Sequence, residues 1–266
     1  MANAEENIPV EEAVEMEDAQ TSAQQITSHL SRRRSSVTKP PTKSNKRKKQ
    51  KQVAQKVVAA AADLEIPRSM SPIRPLPLLI CSIGNPGSTY ANTLHSAGHT
   101  VLNSLVKELG FSGFRKEKSW GNGLLSVNPG AGGGGGGWTL WQSTSYMNES
   151  GKGVAAAYNA WTRSLRGSGE EEGKLVIVHD ELEKALGVVS LKESGSAKGH
   201  NGLKSIQQSM AGKPYWRLGV GIGRPMSRTS DDVARYVLKK MSSEERVRID
   251  GCVEDVVAKL KGLEMG

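Results

Sequence analysis

Cysteine is scarce in this 266-residue chain: only Cys81 and Cys252 occur, with no CxxC pair and no zinc-ligand spacing. That argues against a disulfide framework and a structural metal, and it fits a reducing compartment. Long apolar runs are missing as well. A membrane-spanning helix needs about 20 consecutive apolar residues, whereas the longest stretch here, Leu76 to Ile83, is interrupted and strand-sized, so a soluble protein is expected. No glycine loop ends in GK[ST], and Gly219-Val220-Gly221-Ile222-Gly223 lacks the strand-to-helix setting of a dinucleotide fingerprint. Nucleotide cofactors are therefore not expected. No serine sits in a GxSxG elbow, and no internal repeat is present.

Acidic residues are absent from Leu30 to Lys56, while Glu5, Glu6, Glu11, Glu12, Glu15, Glu17 and Asp18 crowd the start. Residues 1–75 read as a disordered tail, because few large apolar residues are there to offset ordering entropy. The acidic start argues against an Arg-rich mitochondrial presequence, and the expected location is the cytoplasm, with the mitochondrion as the alternative. Arg32-Arg33-Arg34-Ser35-Ser36 and Lys46-Arg47-Lys48-Lys49 suit RNA binding, nuclear addressing, phosphorylation or a merely solvated tail. A net charge of +9 and a pI near 9.5 favour a polyanionic partner.

Residues 76–266 read as one α/β domain: a central mixed, largely parallel, twisted sheet flanked by helices. The spacing predicts strands at Leu76–Ser82, Leu124–Val127, Trp138–Gln142, Leu175–His179, Val188–Lys192 and Trp216–Ile222. It predicts helices at Ala97–Leu109, Gly151–Arg163 and Leu203–Met210, and a closing helix that starts at Ser242-Ser243-Glu244-Glu245 and buries Val247, Val253, Val256, Val257 and Leu260 on one face. The glycine-rich stretch 130–137 reads as a loop insertion.

Asn85, His95, Asn148, Asp180 and Asn201 fall at or beyond predicted strand ends, where open α/β sheets hold ligands. Ester hydrolysis needs a base for water and donors for the oxyanion, and His95 oriented by Asp180 could supply the first. Each residue also has a structural reading. His95 could cap the following helix, Asp180 or Asn85 could close a turn, and Asn148 and Asn201 could be helix N-caps.

Taken together, the motifs resemble a known family. Leu79-Ile80-Cys81-Ser82-Ile83-Gly84-Asn85-Pro86-Gly87-Ser88-Thr89-Tyr90 and Thr93-Leu94-His95-Ser96-Ala97-Gly98 look like the amino-terminal signature of bacterial-type peptidyl-tRNA hydrolases. Tyr146-Met147-Asn148-Glu149-Ser150-Gly151, His179-Asp180-Glu181-Leu182-Glu183, Gly199-His200-Asn201-Gly202-Leu203-Lys204 and Arg217–Pro225 resemble the remaining motifs, and the likeness spans about residues 76–262.

The resemblance implies a hydrolase that frees tRNA from peptidyl-tRNA released by stalled ribosomes, with His95 as catalytic base and Asp180 as its partner. It further implies substrate contacts from Asn85, Tyr90, Met147, Asn148 and Asn201, and tRNA-phosphate contacts from Lys192 and Arg217. No metal or organic cofactor, no membrane and no stable protein partner are implied, and a monomer is expected. Two positions depart from the family pattern. Ser96 stands where many members carry asparagine, and Gly219 where bacterial members carry a phosphate-binding arginine, for which Arg217 or Arg224 are the candidate substitutes. The rival readings are a non-catalytic RNA-binding or splicing module on the same fold, and a metal hydrolase built from His95, His179, His200 and Asp180.

Overall fold

Alternation along β1 (Leu78–Ser82) sends Leu78 and Ile80 to one core layer and Leu79 and Cys81 to the other, and the whole strand is buried. Burial on both faces is the signature of a central parallel strand. In this computed structural model, which describes residues 74–128, 137–169 and 172–266, β1 lies in the middle of a seven-stranded sheet. The expectations for the tail before residue 74 and for residues 130–136 of the glycine-rich stretch lie outside the described residues.

The other strands are β2 (Arg115–Lys116), β3 (Leu124–Val127), β4 (Trp138–Gln142), β5 (Lys174–Glu181), β6 (Val189–Glu193) and β7 (Trp216–Gly221), in the order β2-β3-β4-β1-β5-β7-β6. The inner strands β4, β1, β5 and β7 are parallel to one another, and both edges add antiparallel pairs. The fold is thus the expected mixed α/β sheet.

Among the described residues six α-helices cover it: α1 (Ala97–Glu108), α2 (Ser150–Gly167), α3 (Asn201–Met210), α4 (Ser230–Leu238), α5 (Ser243–Asp250) and α6 (Val253–Glu264). Val101, Leu102 and Leu105 of α1 join Val253, Val256 and Leu260 of α6 on one face of the sheet. Val154 and Trp161 of α2 join Leu203, Ile206 and Met210 of α3 on the other.

Two expectations change. The single closing helix is two helices, because α5 ends at Gly251, whose N–H bonds the Val247 carbonyl. Residues 247 and 249 point about 200° apart on a helix; Ile249 takes the core and Val247 is left 70% exposed. Helix α4 is not foreseen at all. Its signals are weak but present: Thr229 caps it, Asp231 and Asp232 follow in the first turn, and Val233, Tyr236 and Val237 recur at helical spacing.

Gly98 couples the two layers that matter for the site. A Cβ on Gly98 would lie 2.6 Å from the Val178 carbonyl oxygen, so only glycine lets the first turn of α1 lie directly on β5. Helical Gly→Ala substitutions ordinarily stabilise by about 1 kcal/mol. Gly98→Ala is expected instead to destabilise by about 1–3 kcal/mol through overpacking, whereas Gly262→Ala in α6, with open space around it, should show the ordinary gain. Urea denaturation of the two variants checks the difference in sign.

Candidate active site

The period of two along β5 decides which side chain meets His95. Val176 and Val178 face the α1 layer and Leu175 and Ile177 the α3 layer. Asp180 continues the first series and His179 the second. The strand runs two residues further than expected, pairing Asp180 with Val220 and Glu181 with Gly221 of β7. Asp180 is therefore fixed inside a ladder rather than placed after it. His95 arrives from the short helical turn Leu94–Ser96 that leads into α1.

His95 Nδ1 lies 2.9 Å from both carboxylate oxygens of Asp180. An ionised carboxylate only accepts, so Nδ1 carries the proton and Nε2 keeps its lone pair. His200 approaches from the other layer, its Nε2 2.9 Å from Asp180 Oδ1. Its Nδ1 accepts the backbone N–H groups of Gly202 and Leu203 at 3.1 and 3.3 Å. Two N–H donors on Nδ1 require a lone pair there, which places the proton of the neutral ring on Nε2. Asp180, 3% exposed, thus receives two imidazole N–H groups.

Burial disfavours the Asp180 charge, but the charge and hydrogen bonds of His95 and His200 outweigh it and hold the carboxyl far below the usual range. Burial likewise opposes charging of His95, yet the Asp180 charge and hydrogen bond prevail and its pKa is raised above 6.5. His179 goes the other way. Burial, followed by the charge of His200, lowers it to about 3, and its Nδ1 bonds the Asp180 backbone oxygen at 2.7 Å. His179 is a structural imidazole rather than a competing base.

The donor atoms of His95, Asp180 and His200 lie within 4.8 Å of one another, close enough to suggest a metal site. The protons argue otherwise. A cation on His200 Nε2 would push the ring proton onto Nδ1, against the two backbone N–H groups it now accepts.

A cleft of about 760 Å³ opens over this pair. Asn85, Met147, Asn148, Asn201, Lys192 and Arg217 all line it. Asn85 Oδ1 accepts the Met147 N–H at 2.8 Å, joining the loop after β1 to the turn after β4. Asn148 and Asn201 are exposed and cap neither helix: the residue before α2 is Glu149, and the cap of α3 is His200. Tyr90 does not line the cleft and instead packs edge-on against Tyr146, which does, at 6.3 Å. Helix α4 adds an apolar wall through Val233, Ala234, Val237 and Leu238.

Lys192 and Arg217 face each other across β6 and β7. Arg217 Nη1 donates to the Ser196 carbonyl at 2.6 Å, and neither cation makes an ion pair among the described residues. Arg224 is paired with Glu183 at 2.8 Å, which makes it the poorer phosphate ligand of the two candidates.

Residues 79–264 match the model of the family described as peptidyl-tRNA hydrolase. The chain belongs to that family. It is similar to a probable peptidyl-tRNA hydrolase of Schizosaccharomyces pombe, 36% identical over 173 residues that cover 65% of this chain and 75% of the relative. A peptidyl-tRNA hydrolase of Leptothrix cholodnii is 37% identical over 192 residues, 70% of this chain and 83% of its own. The crystal structure of the Acinetobacter baumannii peptidyl-tRNA hydrolase superposes with a TM-score of 0.56 at 31% identity, covering 72% of this chain and 89% of that one.

Against this family pattern the two departures now have local explanations. Ser96 is buried, and its hydroxyl donates to the Tyr90 carbonyl at 3.0 Å while accepting from Thr93; it braces the turn that carries His95. At Gly219 a Cβ would meet Ser190 Oγ at 3.0 Å and Glu181 Cβ at 3.1 Å. An arginine there would need both neighbours to give way, while Arg217 projects from the same strand face two residues earlier.

The His95 ring is expected to titrate above 6.5 in an NMR pH series and below 6.5 in Asp180→Asn, where burial acts unopposed. Any activity that needs neutral His95 should then fall as pH drops through the raised value, with the acid limb moving to lower pH in the variant. A His95 titration that ignored the substitution would remove the ion pair from the account.

Proposed function

We propose that this protein hydrolyses the ester bond between a peptide, or an N-blocked amino acid, and its tRNA, recycling tRNA from peptidyl-tRNA that leaves stalled ribosomes. The observation that carries the reading is a partly buried imidazole held by a buried carboxylate, its Nε2 without a hydrogen bond among the described residues, on the wall of a cleft that also presents three asparagines, several cations and one apolar helix. Family membership supports the same substrate.

In the proposed mechanism His95 Nε2 takes a proton from water as the water oxygen bonds to the ester carbonyl carbon. Asp180 stabilises the imidazolium so formed. Asparagine side chains and backbone N–H groups stabilise the tetrahedral oxyanion. Collapse breaks the ester C–O bond, the imidazolium returns its proton to the departing ribose oxygen, and the products are a free peptide carboxylate and tRNA.

The amides of Asn85, Asn148 and Asn201 suit the substrate because each offers both donor and acceptor to a peptide backbone and a ribose. Asn85 has its oxygen occupied by Met147, which leaves its amino group as the donor. The wall of α4 suits peptide side chains. Lys192 and Arg217, two like charges with no carboxylate between them, suit a tRNA phosphate, which would relieve their repulsion. Action as a monomer in the cytoplasm, a tail of residues 1–75 joined to a domain of residues 76–266, and a loop insertion at 130–137 are parts of the proposal drawn from the sequence alone.

The first test is cleavage of a purified N-blocked aminoacyl-tRNA in chelator. Wild type is expected to release the blocked amino acid, and His95→Ala to be slower by at least ~10²-fold with tRNA binding retained. Binding without release by the wild type would favour the RNA-binding module, and loss of activity in chelator would favour a metal. The acid-free stretch Leu30–Lys56 motivates a second test. Removal of the residues before Leu76 is expected to weaken tRNA binding at low salt and to flatten the dependence of log K on log salt concentration; equal affinity at low salt would dispose of a role for the tail.

A further inference from the structure

The proposed chemistry employs His95 and Asp180 and leaves the third member of their hydrogen-bonded group without a task. We infer that His200 is a positioning residue for this reaction: its Nε2–H holds the Asp180 carboxylate in line with His95, and the N-terminus of α3 locks that proton in place. The inference rests on the reading of His95 as the base.

The local sequence makes the choice of histidine informative. Helix N-caps are ordinarily Ser, Thr, Asp or Asn, whose short side chains accept an N–H two or three residues on. Here α3 is capped by His200, although Asn201 is the next residue. A carboxylate cap could not donate to Asp180, and a hydroxyl cap would be too short to span from the helix end to the strand. An imidazole presents an acceptor on one edge and a donor on the other, and both are used, at 3.1 and 3.3 Å on Nδ1 and 2.9 Å on Nε2.

The lock follows from valence. Moving the ring proton to Nδ1 would set it against two N–H donors and leave Asp180 Oδ1 facing a lone pair. The Nε2 proton of His200 is thus fixed on the Asp180 side of the ring, and it orients the carboxylate while His95 keeps its own bond to it. Its surroundings agree: the His95 ring lies 5.1 Å away, the His179 ring meets it edge-on at 5.3 Å, and its side chain is 11% exposed. The ionisable groups gathered around Asp180 are these three histidines, with Glu181 and Arg217 on the adjoining cleft wall. The same arrangement makes the cluster a poor cation site while keeping its donors close.

Two substitutions separate the two edges of the ring. His200→Asn keeps an acceptor for α3 but is too short to reach Asp180. His200→Gln reaches Asp180 with an amide N–H and forfeits the cap. The measurements are kcat and KM on N-blocked aminoacyl-tRNA, the NMR titration of the His95 ring, and Tm.

For His200→Asn the expected result is kcat lower by about 10-fold from lost alignment, KM within about twofold, and a His95 titration moved upward, because Asp180 has lost a donor that shared its charge. For His200→Gln, kcat and the His95 titration should stay near wild type while Tm falls by about 2–4 °C. Unchanged kcat and His95 titration in His200→Asn would overturn the inference. So would parallel losses in both variants that track Tm while His95 titrates as before, since His200 would then be a cap and nothing more. If the wild type released no blocked amino acid, the hydrolase reading would fall, and the His95 titrations would still decide whether His200 acts on the pair.

Discussion

A carboxylate buried at the end of a central strand is the constraint on which the site depends. An uncompensated charge in that position would cost several kcal/mol, and at Asp180 two imidazole N–H groups offset it. They come from opposite sides of the sheet, His95 from the α1 layer and His200 from the start of α3. The carboxylate therefore ties both helical layers to β5 at the end where the cleft opens. The close contact at Gly98 belongs to the same constraint, since α1 must lie on the Val178 carbonyl for the preceding turn to bring His95 within 2.9 Å of its partner.

The same carboxylate sorts the histidines around it. Ring burial lowers an imidazole, as at His99, which is brought to about 4, and at His179, where the charge of His200 adds to it and the value is about 3. His95 is also largely buried, yet it is raised, and the difference is the negative charge on its Nδ1 side. A base that must work near neutral pH needs that correction, because burial without a counter-charge would leave the imidazolium too unstable to form. His99 fills another role, with Nδ1 on Ser82 Oγ at 2.8 Å and its ring against Gly84, and it braces the loop that delivers Asn85 to the cleft.

Much of this was legible in the chain. The apolar run of β1, the β-branched run before Asp180 and the helical spacing in Ala97–Leu109 place the main elements to within two residues or so, because each is buried by a periodic pattern. His95 and the three asparagines reach one cleft because they follow, or lie near, strand ends on one side of the sheet, and Lys192 and Arg217 join them from the β6–β7 pair. What was hidden depends on three-dimensional partners. His200 reads as part of a motif, and its bridging role needs the distance from the helix end to β5. Helix α4 is only nine residues long and buries Val237 alone outright, so its short apolar run does not stand out beside its polar flanks. The break between α5 and α6 was obscured because Val247 suits either a buried or an exposed face until Ile249 claims the core. Tyr90 lies in a motif yet turns toward Tyr146, and nothing in the order of residues tells a lining side chain from one that supports a lining side chain.

The loss of an arginine at position 219 fits the geometry of β7. Tyr215, Arg217, Gly219 and Gly221 share one face of the strand, and the two glycines on it are each crowded: a Cβ at Gly221 would lie 2.0 Å from the Ala185 carbonyl oxygen, and one at Gly219 would press on Ser190 and Glu181. A chain that keeps this face flat toward the turn before β6 has room for a long cation only at its beginning. There Arg217 lies opposite Lys192, and its bond to the Ser196 carbonyl holds the guanidinium beside the cleft. Arg217 thus stands one side-chain repeat before position 219 along the strand, about 7 Å, with the Asp180–His95 pair untouched, because Lys192 and Arg217 stand on β6 and β7 and Asp180 on β5. Asp180 has no such latitude, because its burial requires both imidazole N–H groups where they stand.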